Sequence, residues 1–313
     1  MTVRSVADAH YDRMQQISAA AAAVAVREWQ KLPPGDWEAA YVNTIGPQAL
    51  AALILGQLAS ADEADGYIGD VIDAIFDGDR RRAGEGRINP DAFAGVAADG
   101  RDLATLMYLP VQRTQIALRR GASLSEALGI GEQMLEAIVE NEVTDAGRVA
   151  DGVAIVARPM ITGYVRMLSP PSCGRCAVLA GRTYRWNTGF ERHPNCDCRH
   201  VPITGDAPHE DLFRIDPRAA VLAGEVRGLS KADEQAIRDG ADVGQVINAH
   251  RGMYTAGGRK LTTEGTTRKG LAGQRSRRAG TRGPRPRPEQ IYKDAGDDRA
   301  AAIRELEKYG FII

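Results

Sequence analysis

The segment SCGRCAVLAGRTYRWNTGFERHPNCDCRH, residues 172–200, holds all four cysteines of a 313-residue chain and two of its five histidines. The spacing is Cys173-x-x-Cys176, nineteen residues, then Cys196-x-Cys198. Two close thiol pairs ~15–20 residues apart are the pattern of a four-ligand zinc site: each pair bends around the ion from one turn, and the spacer brings the turns together. Four thiolates close the tetrahedral shell, so such an ion is structural. The second pair is C-x-C rather than C-x-x-C, and His193 or His200 is a candidate substitute for one thiol. Alternating apolar positions in Thr183–Trp186 and Arg199–Ile203 predict two short strands holding the turns. Spacing alone leaves three other readings open: a redox C-x-x-C, which wants a strand-to-helix context and one low-pKa thiol; a disulfide staple with three pairings; or thiols that pack as small apolar groups.

Outward from this segment the chain reads as mainly α with a small Cys-rich α+β module, a basic flexible arm and short C-terminal helices. Aromatic residues are 5% and there are 34 glycines, which suits helices meeting through small side chains. In residues 1–168, a helical body, Met14, Ile17, Ala21 and Val24 recur at helical spacing, and Pro33-Pro34-Gly35 stops that helix. An apolar run Ala49–Leu58 precedes a face of Ile68, Val71, Ile72 and Ile75. Asn89-Pro90 is a helix start, and Ser123 with Glu126 forms a capping box. Val149, Val153, Val156, Met160, Tyr164 and Leu168 predict helix up to Pro170. Residues 169–205 are the Cys-rich module, the C-terminal part of a domain that begins near 90. Residues 206–250 hold short helices started by Asp216-Pro217 and by Ser230 with Asp233. No apolar run of the ~20 residues that cross a bilayer is expected, and the N-terminal charges do not suit a signal peptide. The expectation is a protein made in the cytoplasm, with no membrane partner and reduced thiols.

Joined in register, Cys173-Gly-Arg-Cys176, Leu179, Gly181, Tyr184 and His193-Pro194-Asn195-Cys196-Asp197-Cys198 resemble the signature of the phage Mu F-like minor head proteins. VINAHRGMYTAGGRKLTTEGTTRKG and RPRPEQIYKDAG add a softer similarity to minor capsid proteins of actinobacteriophages. The resemblance implies a virion protein of the head, made in the host cytoplasm and not an enzyme. It also implies a portal or major capsid protein as partner. The alternative class is a metal- or thiol-dependent enzyme or toxin-like transferase, since relatives are linked by fold to ADP-ribosyltransferases. The E-x-E that such an enzyme would use, Glu140-Asn141-Glu142 ahead of the cysteines, reads as a solvated helix face.

Residues 251–287 carry eleven Lys and Arg against one acid, Glu264, while the rest of the chain has 29 basic and 40 acidic residues. Such a segment suits phosphate neutralisation, with packaged DNA as the polyanion. Its candidate contacts are Arg259, Lys260, Arg268, Lys269, Arg275, Arg277, Arg278, Arg282, Arg285 and Arg287. A solvated linker or an arm for an acidic protein surface fits the same composition. Residues 288–313 predict two short helices forming a hook, whose Ile303, Leu306, Phe311, Ile312 and Ile313 dock on another subunit.

Overall fold

The computed structural model describes residues 1–76, 87–189, 196, 198–205, 210–267, 269–278, 280 and 283–312. From the N-terminus run helices α1 (Val3–Trp29), α2 (Trp37–Ala40), α3 (Gly46–Ile75), α4 (Leu103–Met107), α5 (Leu109–Arg119) and α6 (Leu124–Val156), then strand β1 (Ile161–Met167). Short elements follow: β2 (Ser172–Cys173), α7 (Gly174–Leu179), β3 (Thr183–Arg185), β4 (Arg199–Thr204), α8 (Pro217–Leu222), β5 (Val226–Arg227), α9 (Lys231–Arg238) and α10 (Val243–Asn248). The chain ends with β6 (Met253–Ala256), β7 (Arg259–Thr262), α11 (Leu271–Arg278), β8 (Arg285–Pro286), α12 (Pro288–Ala295) and α13 (Arg299–Lys308). The fold is mainly α with small α+β parts, and it divides into two compact units.

The first unit comprises Met1–Arg166, Thr183–Asn195 and Arg199–Leu212. Helices α1, α3 and α6 pack on one another through small residues. A Cβ on Gly56 would lie 2.7 Å from both Ala21 and Val143, so the three helices meet closely at this glycine. The capping boxes Thr2/Ser5 and Ser123/Glu126 start α1 and α6 as their sequences dictate. The two apolar stretches between 49 and 75 fuse into one helix, because Ser60, Ala61 and Ala64 between them also face the core. The run Trp37–Ile75 is long and apolar enough to cross a membrane by length and composition, where the sequence analysis expected no such run. Its Ala49, Leu53, Ala61, Ile68 and Ile72 are fully buried within the protein, where a central bundle helix is apolar for the same reason.

The helix expected to continue to Leu168 stops at Val156 instead. Pro159 disfavours helix at Arg158, and the β-branched Ile161, Thr162 and Val165 follow as strand β1. Val149, Val153 and Val156, which do lie on the helix, are exposed. The two predicted strands form, but they flank β1 in the order β3-β1-β4. Tyr184 stacks on Tyr164 across the β1–β3 pair at 5.4 Å. Strand β4 is buried against α3 and α6. There the Tyr67 hydroxyl donates to the His200 carbonyl at 2.7 Å, and the Arg199 guanidinium lies 4.8 Å above the Tyr11 ring.

The second unit comprises Met167–Arg182, Cys196–Cys198 and Phe213–Ile313. The 169–205 module is therefore not one piece: β3 and β4 belong to the first unit and the thiols to the second. The core of this second unit gathers Ala177, Val221, Ile237, Val246, Ile247, Ile291, Leu306 and Phe311. Residues 251–287, expected to lack fixed structure, carry the antiparallel hairpin β6–β7, the helix α11 and the strand β8. Composition misleads here, because the segment borrows its core from helices on either side of it.

Helix α9 shows how its polar starts are held. The buried Asp233 carboxylate accepts from the Ser230 amide at 3.0 Å and hydroxyl at 2.8 Å, and lies 2.9 Å from His250 Nε2. Burial pushes this carboxyl upward, but hydrogen bonds from His250 and Ser230 outweigh it and leave its pKa below the ordinary value. Its contribution is thus full above the unfolded carboxylate pKa of ~3.9 and is lost as pH falls through the lower folded value. Asp233→Ala is expected to lower stability by about 1–3 kcal/mol at pH 7. The gap should shrink below about pH 4, as thermal unfolding at pH 7 and pH 3 will measure.

Candidate metal centre

Strand β2 pairs in parallel with β5, Ser172 opposite Val226 and Cys173 opposite Arg227, and the Ser172 amide donates to the Glu225 carbonyl at 3.0 Å. Cys173 is thereby fixed at the junction where α7 begins. Its sulfur accepts the amide of Cys176 at 3.4 Å, and the turn carries the Cys176 side chain inward. Gly174 makes the inward turn feasible: a Cβ there would come within 2.7 Å of Ile247 on α10. Gly181 closes the segment with a φ of +73°, and a side chain there would meet the Arg214 backbone at 2.7 Å.

The sulfurs of Cys176, Cys196 and Cys198 all lie within 4.8 Å of one another and all three residues are buried, so together they can hold a metal ion. Cys176 Sγ and Cys196 Sγ are 3.7 Å apart. Four sulfurs placed tetrahedrally at the zinc–thiolate distance of ~2.3 Å have edges of about 3.8 Å, and the Cys176–Cys196 pair matches one such edge. None of the four cysteines is in a disulfide. Hydrogen bonding of Cys176 with Cys173, Cys196 and Cys198, together with burial, raises its thiol well above the ordinary pKa. The C-x-x-C does stand between a strand and a helix, as redox motifs do.

Among the proposed substitutes, His193 lies outside the described residues. His200 is a residue of the first unit, its ring edge-on to Tyr164 at 4.4 Å, and is not in the ligand group. Cys173 stays half-buried beside the three clustered thiols. Glu140 and Glu142 are part-buried rather than solvated: burial raises both carboxyls, and Glu142 accepts the Ala98 amide at 2.7 Å.

The basic residues divide. Arg285 is buried, donates to the Tyr309 carbonyl at 3.0 Å and stacks 4.2 Å above the Phe311 ring, and burial brings its pKa down to about 10. Arg287 is buried beside Glu289 at 2.9 Å. Neither is available to a polyanion, a correction to the sequence reading. Arg259 and Lys260 are exposed, 2.6 Å from Asp294 and 3.8 Å from Glu289 respectively. Lys269, Arg277 and Arg278 are exposed, Arg275 is half-buried, and Arg268 and Arg282 lie outside the described residues.

The C-terminal hook is also corrected. Leu306 and Phe311 are fully buried in the second unit's own core, with Ile303 and Ile312 half-buried and Ile313 outside the described residues. They are core residues because α13 packs on α12 and the Asp242 amide donates to the Phe311 carbonyl at 2.6 Å.

Sequence reasoning missed a buried polar group in the first unit, where His10 Nε2 lies 3.1 Å from the Asp151 carboxylate and its ring stacks on Tyr67 at 3.8 Å. Its members come from helices 141 residues apart in the chain, so no local spacing announces it. No protein-family model matches the chain, and no curated protein or solved structure matches it.

Phe311→Ala in the full chain is expected to lower stability by about 3–5 kcal/mol. A docking hook would instead leave the thermal transition unchanged, and differential scanning calorimetry separates the two.

Proposed function

We propose that the chain is a non-enzymatic minor structural protein of a phage head, assembled near the portal vertex, whose thiols hold a structural zinc ion. The observation that carries this reading is the convergence of Cys176, Cys196 and Cys198 in a buried group inside the segment that resembles the Mu F-like signature. Its other marked positions have architectural roles: Gly181 turns the chain, and Tyr184 packs on Tyr164.

Soft thiolates select zinc over hard cations, and zinc needs no redox partner to remain in place. Cys173 is the natural fourth ligand, because its sulfur already accepts a backbone amide as zinc-bound thiolates do. Four such ligands leave no open position for water or substrate, which favours architecture over catalysis. Cys196 and Cys198 belong to a three-residue return of the chain into the second unit. So short a segment has little surface to bury, and the ion supplies the attachment that packing cannot.

An enzyme reading has less support. The metal-ligand group among the described residues contains thiols alone, with no carboxylate or histidine placed as acid or base.

Protein purified under reducing conditions is expected to carry one zinc per chain through gel filtration. Cys176→Ser with Cys198→Ser should lose it, with a lower unfolding temperature. Coexpressed with the portal and major capsid proteins of its own genome, the wild-type chain should copurify with head particles, and the zinc-free variant should not. Four thiols titrating freely with no metal would remove the zinc, and absence of the wild-type chain from particles would remove the head role.

A further inference from the structure

Strand β6 is the edge of the sheet β6-β7-β8, and every one of its residues is exposed. Its hairpin with β7 turns on Gly257 and Gly258, both at positive φ as a two-residue type I′ turn requires, which sets Ala256 opposite Arg259. From there the register runs Thr255–Lys260, Tyr254–Leu261 and Met253–Thr262. Facing residues of an antiparallel pair alternately exchange hydrogen bonds and turn their backbone groups away from each other. Two observations fix that alternation. Next to the strand, the Thr263 amide donates to the Gly252 carbonyl at 3.3 Å. Lys260 turns its backbone the other way, donating to Gln290 Oε1 at 3.0 Å and accepting from the Arg287 amide at 3.0 Å. The amides and carbonyls of Met253 and Thr255 therefore point out of the sheet edge, away from β7.

Edge strands are commonly protected from pairing by charges, proline or a bulge. Strand β6 has none of these: Met-Tyr-Thr-Ala carries no charge, and its register with β7 is continuous. The hairpin's cations are on β7, where Arg259 lies 2.6 Å from Asp294 and Lys260 3.8 Å from Glu289. Met253 and Tyr254 are 53% and 40% exposed, although the Met253 sulfur accepts from Arg287 Nη1 at 3.1 Å. The edge thus offers outward backbone groups flanked by uncharged side chains.

We propose that β6 pairs antiparallel with β6 of a second copy of this chain, about a twofold axis through Tyr254. The outward groups select this partner. They lie on alternate residues, so an identical strand running the other way presents the same spacing. Met253 exchanges hydrogen bonds with Thr255 of the second copy, and Thr255 with Met253 of the second copy. Tyr254 then faces its own copy in the closer, non-hydrogen-bonded position, where aromatic side chains stabilise a ladder. No like charges meet, because in this register Arg251 comes opposite Gly257. The contact is isologous and closes at two copies. So short a ladder buries less than the ~1,200 Å² of a standard interface, so association is weak and depends on concentration. This goes beyond the structural role above and does not depend on it.

The test is sedimentation velocity of the full, reduced chain from about 10 to about 500 μM, a range that spans weak affinities. The wild-type chain is expected to shift from monomer towards dimer across it. Thr255→Pro removes an outward amide that β7 does not use, and should leave a monomer with the wild-type thermal transition. Tyr254→Lys and Tyr254→Glu each set like charges opposite one another, and each should weaken association roughly tenfold. An equimolar mixture of the two should recover it, which requires that Tyr254 face its own copy. That complementation stands even if the proline variant fails to fold. A wild-type monomer at every concentration would overturn the proposal. So would a dimer that all three variants leave unchanged, or a mixture that associates no better than either variant alone.

Discussion

The second unit gathers three buried sulfurs within 4.8 Å of one another in its interior. Cysteine is a small, weakly hydrogen-bonding residue, and three of them gathered in a protein interior gain little from packing that valine or alanine would not supply. What distinguishes them is the ability to become thiolates around one cation. The thiols come from two distant pairs, one fixed by β2 and α7 and the other on a return of only three residues. In the zinc-bound form proposed above, a cross-link through the ion would constrain that return, as structural metals do in small modules.

The same logic explains why the surrounding residues are what they are. Gly174 lets α7 approach α10, and Gly181 turns the chain where a side chain would strike Arg214. Arg285 and Phe311 join the basic segment to the C-terminal helices through a buried cation–π contact, so that charge and apolar surface are interior to the second unit. In the first unit, Arg199 and His200 seat strand β4 on the helices, although they follow Cys198 directly in sequence. Adjacent residues of one motif therefore serve different cores.

Much of the fold was legible in the sequence because it was local. The capping pairs Ser123/Glu126 and Ser230/Asp233, the Asp216-Pro217 start and the strands at 183–185 and 199–204 each follow from residues within a few positions of one another. The thiol spacing pointed to Cys173, Cys176, Cys196 and Cys198, of which the last three lie together. What was not legible depended on long-range partners. Val149, Val153 and Val156 have core spacing, yet α6 turns them outward, and the helix ends before Pro159 to give way to β1. The stretch 251–287 reads as unfoldable because its apolar content is low, but Phe311 and Tyr309 supply what Arg285 needs from across the unit. The C-terminal Leu306 and Phe311 look like a docking patch for the same reason: their own core lies elsewhere in the chain.

The central claim is that the sulfurs form one closed coordination shell. X-ray absorption at the zinc edge on the purified, reduced protein tests it most directly. The account predicts four sulfur scatterers at about 2.3 Å and no nitrogen or oxygen neighbour. A shell with fewer than four sulfurs, completed by nitrogen or oxygen at about 2.0–2.1 Å, would contradict it.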